Sequence, residues 1–89
     1  MSQANKQNKP RSESSWSEEE KGNLKKIGAK IESIRKAKNI APVDICVELE
    51  MNKSNYRRIE RGESNVSVLL LIRIANTLGV QVSELVEKD

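Results

Sequence analysis

Two short stretches of helical periodicity stand so close together that the chain between them has almost no freedom. Pro42 can open a helix, because its missing N–H falls where no intrahelical partner exists, and Ile45, Cys46 and Leu49 then line one face up to Glu50. Asn52 is a favoured N-cap for a second helix, in which Tyr56 and Ile59 share a face and Gly62 supplies a stop able to adopt positive φ. The link, Glu50-Met51-Asn52, is only about three residues long, which forces the two helices to cross steeply and pins Met51 beneath the corner.

The same reading places three further helices around this pair. Leu24, Ile27, Ile31 and Ile34 recur at steps of three and four and predict one buried stripe, closed by Lys38-Asn39. Its start is open: Ser17 followed by Glu18, Glu19 and Glu20 fits a capping box, and Gly22-Asn23 is an equally good later start. An apolar stretch from Val66 to Leu78, ended by Gly79, predicts a fourth helix. Val82, Leu85 and Val86 predict a short fifth, capped near Gln81 or Ser83. Upstream, residues 1–15 are polar around Pro10 and cannot bury enough surface to offset ordering entropy. We therefore expect a disordered arm over residues 1–17, with Trp16 exposed and without a function, and one all-α five-helix domain over residues 18–89.

Composition removes several function classes. With Trp16 and Tyr56 as the only aromatics and 36% hydrophobic residues, the core must be aliphatic, and a platform of stacked aromatic rings for single strands is excluded. There is no His and only one Cys, Cys46, so no disulfide, no ordinary transition-metal ligand set and no catalytic constellation is expected. No cofactor is expected either, and Cys46 should pack as a small buried residue. The longest apolar run, Val68 to Ile72, is far below the roughly 18 residues that span a bilayer, and no secretion signal is evident, so a cytoplasmic protein is expected.

The net charge of +3 is unevenly distributed. Residues 24–39 hold six basic groups against Glu32, and residues 52–62 hold Lys53, Arg57, Arg58 and Arg61 against Glu60. At about 100° per residue, Lys53, Arg57, Arg61, Ser54 and Arg58 fall within an arc of roughly 140°, while Tyr56 and Ile59 lie opposite and Glu60 just outside its edge. One side of helix 53–61 can pack while the other offers cations and a hydroxyl to guanine edges and phosphates. Its spacing from the preceding helix makes it a candidate major-groove reader.

The segments IESIRKAKNI, NKSNYRRIERGESN and VLLLIRIANTLGVQVSELV resemble the Cro/phage-repressor (Xre-type) helix-turn-helix family over about residues 24–86. The resemblance implies a compact five-helix repressor-like fold that binds double-stranded operator DNA as a homodimer. It implies base contacts from Lys53, Ser54 and Arg58, with Arg57 and Arg61 as neighbouring DNA contacts, Asn52 completing the DNA-binding set, and a structural salt bridge between Arg35 and Glu60. Two positions depart from the family pattern. Pro42 replaces a Gln that hydrogen-bonds a phosphate, and Glu50 replaces the customary turn Gly, joining Asp44 and Glu48 to make the helix before the turn acidic. The expected function is a sequence-specific transcriptional regulator. The alternatives are a protein-interaction module on the same fold, or an antitoxin-type regulator with a toxin partner.

Overall fold

The computed structural model describes residues 15–87, and residues 1–14 of the expected arm lie outside that range. Within it run five α-helices: α1 (Glu18–Ala37), α2 (Pro42–Leu49), α3 (Lys53–Glu60), α4 (Val68–Leu78) and α5 (Val82–Leu85). Of the two possible starts for α1, the capping box prevails. Ser17 Oγ accepts the Glu20 N–H at 3.0 Å and Glu20 Oε1 accepts the Ser17 N–H at 2.8 Å, so two orphan donors are satisfied reciprocally. Trp16, expected to be exposed, is half-buried, and it lines a hollow with Leu24 and Asn65.

The other boundaries follow equally local chemistry. Asn52 Oδ1 accepts the Asn55 N–H at 2.8 Å to open α3, and Arg61 closes that helix as its C-cap rather than as its last residue. Helix α4 begins two residues later than the apolar run does, because Ser67 Oγ accepts the Leu70 N–H at 3.1 Å. Val66 is left as a half-buried link residue packed on the core. Gly79, at φ 74°, ends α4 in the left-handed region. At the turn between α2 and α3, Glu50 takes φ 56° and ψ 46°, a conformation that costs a residue with a Cβ about 1–2 kcal/mol. The turn thus keeps its left-handed shape and Glu50 carries the strain.

Packing turns these elements into one core. Helix α1 lies against α3 and α5, α2 lies against α3 and α4, and α4 lies against α5. Ile31, Ile45, Leu49, Tyr56, Ile59, Ile74, Leu78 and Leu85 are buried between them, each aliphatic side chain contributing roughly 1.5–3 kcal/mol by leaving water. Cys46 joins this core. Burial pushes its thiol pKa up, so it stays protonated and acts as a small packing residue. Met51 packs half-buried against the same cluster beneath the α2–α3 corner.

The placement of α3 depends on backbone approach as well as on side chains. A Cβ on Gly28, in the middle of α1, would lie 2.4 Å from the carbonyl oxygens of both Ile59 and Glu60. One on Gly62, just beyond α3, would lie 2.6 Å from Lys25 Cα. The end of α3 therefore rests directly on the backbone of α1, at a distance that only glycine permits.

Candidate nucleic-acid interface

Helix α3 is held from behind by a polar cluster. Arg35 of α1 reaches Glu60 with Nε to Oε2 at 2.7 Å and Nη2 to Oε1 at 3.3 Å, and its Nη1 donates to the Ile40 carbonyl at 2.8 Å. The Tyr56 hydroxyl donates to the same Glu60 carboxylate, and the Arg35 and Glu60 side chains are only 7% and 9% exposed. The hydrogen bond to Glu60 raises the Arg35 pKa above its ordinary value, locking the cation in place. The pair links α1, the loop that follows it and α3 in one network.

Tyr56 gives this network a pH signature. Burial first, then the hydrogen bond to Glu60, push its phenol pKa well above the usual range, so the folded protein keeps it neutral. In the unfolded chain it ionises near pH 10. Its contribution is therefore fully present below about pH 10 and is lost as pH rises beyond that, where the unfolded state alone releases the proton. Urea midpoints measured from pH 8 to 11 should fall at the alkaline end, and Tyr56→Phe should flatten that fall while losing roughly 1–2 kcal/mol at neutral pH. Parallel pH profiles for the two proteins would show that Tyr56 is not the group responsible.

The opposite side of α3 faces solvent. Lys53, Ser54, Arg57, Arg58 and Arg61 are all exposed, as is Asn52, whose side-chain carbonyl is occupied in capping. Two of the cations are restrained by a residue that sequence reasoning missed. Arg58 Nη2 donates to the Glu63 carbonyl at 3.2 Å, and Arg61 Nη1 lies 3.7 Å from Glu63 Oε1. Lys53 and Arg57 have no ion pair among the described residues. Arg35 and Glu60 are buried and hold the helix, meeting the exposed Arg57 and Arg61 only at the wall of one shared recess, while Gly28 and Glu63 carried no signal in a single sequence. A face of exposed cations on a short helix, docked by its apolar side after a tight turn, can hydrogen-bond base edges and phosphates.

The helix-turn-helix family model matches residues 31–85. The chain belongs to the helix-turn-helix family of DNA-binding regulators. This helix-turn-helix protein is 32% identical over 63 residues to an immunity repressor protein of Bacillus phage phi105, a match that spans 71% of this chain but 44% of the repressor. Over 68 residues it is 31% identical to the control protein C.MunI of a Mycoplasma species, covering 72% of this chain and 92% of the relative. Among solved structures, the restriction-modification controller protein C.AhdI from Aeromonas hydrophila superposes with a TM-score of 0.69 at 26% identity, covering 72% of this chain and 97% of that one. The helix-turn-helix of this protein is the α2–α3 pair, and no helix among its described residues is long and apolar enough to cross a membrane.

Proposed function

We propose that this helix-turn-helix regulator is a cytoplasmic, sequence-specific reader of double-stranded DNA that inserts α3 into the major groove as a homodimer. The observation that carries the reading is the exposed face of α3, where Lys53, Ser54, Arg57, Arg58 and Arg61 all reach solvent while Tyr56 and Ile59 are buried. Lys53, Ser54 and Arg58 are the base readers, with Asn52 a further DNA contact at the start of the helix and Arg57 and Arg61 on the backbone, since a recognition helix enters the groove N-terminal end first. Selection from a random duplex pool, followed by binding at several salt concentrations, tests it. Arg58→Ala should lose about 1–3 kcal/mol on the selected site and relax choice at one base pair. Arg61→Ala should weaken all duplexes alike and reduce the salt-dependence slope by about one per copy. Equal losses on selected and scrambled DNA for Arg58→Ala would overturn the assignment.

Dimerisation is supported by the unpartnered side of α4, where Val68 and Leu69 are 71% and 66% exposed and Ile72 is 40% exposed. A second copy paired on this ridge would set two α3 helices one DNA turn, about 34 Å, apart and select a palindromic site. Sedimentation at tens of micromolar should give a dimer that Leu69→Lys dissociates. A monomeric parent that binds single half-sites would contradict this.

A second reading, a protein-interaction module on the same fold, is favoured by α2. Val43 and Val47 are exposed there beside Asp44 and Glu48, neither of which has an ion pair among the described residues. Retention on bulk DNA at low salt separates the two readings, because a DNA reader binds it electrostatically and a module docking through an acidic face does not.

A further inference from the structure

Glu63 stands just past the end of α3, and both its carbonyl and its carboxylate meet exposed arginines of that helix. Its own place is fixed by the way α3 ends. Gly62 takes φ 75°, its N–H donates to the Ile59 carbonyl at 3.0 Å, and the Glu63 N–H donates to the Arg58 carbonyl at 2.8 Å. These are the paired bonds that close a helix on a left-handed glycine. Gly62 also packs so tightly on α1 that a Cβ there would lie 2.6 Å from Lys25 Cα, so Glu63 is carried by a corner that two helices hold.

The two arginines are engaged in different ways. The Glu63 carbonyl accepts from Arg58 Nη2 at 3.2 Å, a neutral contact that narrows the side chain's freedom and leaves its charge whole. The carboxylate lies 3.7 Å from Arg61 Nη1, close enough for attraction and too long for a hydrogen bond. Both of those side chains remain open to water, so the pair is weak and exchangeable. Lys53 and Arg57 have no ion pair among the described residues. A carboxylate and a phosphodiester each offer one negative charge and two oxygens to a guanidinium fork, so they compete for the same donors. DNA that reaches Arg61 must displace the Glu63 carboxylate and then leave it beside a second anion.

We propose that Glu63 is a built-in competitor of DNA for Arg61, a carboxylate that occupies this arginine in the free protein and lowers affinity for every duplex without altering which sequence is chosen. Choice is untouched because Arg58 is held through the Glu63 carbonyl, which no side-chain replacement removes. The inference rests on the DNA-binding reading above and goes further by assigning a residue that opposes binding.

The test uses the full chain, its selected duplex and a scrambled one over a range of salt, at a temperature where melts show every variant folded. Glu63→Gln keeps the size of the side chain and removes its charge. It should tighten binding to both duplexes by the same factor, about three- to fivefold at low salt. The salt dependence should steepen by up to about one per copy, and reselection from a random pool should return the parent's site. In an Arg61→Ala background the same substitution should change affinity by less than about twofold, because the cation it competes for is gone. Glu19→Gln, which removes the same charge from the first turn of α1, should also stay within about twofold of the parent. Equal gains from Glu63→Gln in the two backgrounds, or a matching gain from Glu19→Gln, would reduce the effect to net charge and overturn the proposal. So would an unchanged or weakened affinity of Glu63→Gln in the parent background, or a shift in its base preference. A parent that binds no duplex would remove the DNA-binding reading and this inference together, whereas tight binding without the Glu63–Arg61 coupling would remove this inference alone.

Discussion

Arg35→Met should cost about 3–5 kcal/mol of folding free energy, a large fraction of the 5–15 kcal/mol that holds a domain of this kind together. The change leaves the Glu60 carboxylate buried with the Tyr56 hydroxyl as its remaining side-chain partner, and it frees the Ile40 carbonyl that Arg35 satisfies at 2.8 Å. Glu60→Gln should fall in the same range for the mirror reason, since a guanidinium only 7% exposed loses its counter-charge. The double variant Arg35→Met/Glu60→Leu should recover much of the loss, because removing both charges removes the desolvation penalty along with the attraction. Urea melts of the four proteins give the coupling energy directly. Single variants within about 1 kcal/mol of the parent would mean that the pair behaves as a solvent-exposed one.

Gly28→Ala should destabilise by roughly 3 kcal/mol, against the usual helix preference of about 1 kcal/mol for alanine over glycine. The new methyl would stand 2.4 Å from two carbonyl oxygens of α3, and backbone cannot rotate aside as a flexible side chain can. Helix α3 must move away from α1, so DNA affinity should fall further than the melt alone implies, in contrast to Arg57→Ala, whose fold should be intact. Gly22→Ala is the internal control. It lies in the same helix with nothing within 4 Å of the added carbon, and it should be neutral or stabilising by about 0.5–1 kcal/mol. The melting temperature should therefore fall for Gly28→Ala and hold or rise for Gly22→Ala. A Gly28→Ala protein as stable as the parent would show that the two helices separate at little cost.

What could be read from sequence was whatever a few consecutive residues decide among themselves. Asn52 at its cap position, the stripe of Leu24, Ile27, Ile31 and Ile34, and Gly79 as a stop all act within one or two turns of chain, so periodicity and capping chemistry locate the helices. The short Glu50-Met51-Asn52 link likewise dictated the α2–α3 corner, and Glu50 accepts a left-handed backbone there because the turn geometry outweighs about 1–2 kcal/mol of strain. The two-faced character of α3 followed from the same arithmetic. The Arg35–Glu60 pair did not. It entered through resemblance to a family, because nothing local ties a residue of α1 to one at the end of α3.

Only the tertiary structure decided what lies against what. It placed Gly28 under the α3 carbonyls and brought Lys36 of α1 and Arg57 of α3 to one recess. It also split neighbouring Arg57 and Arg58 between two surroundings that their shared arc could not distinguish. The approach of α1 to α3 depends on the distance between helix axes, which is set by the volume of buried side chains and by the missing Cβ atoms of Gly28 and Gly62. Helical spacing specifies only which residues of one helix share a face, so the sequence determined the faces and packing determined their neighbours.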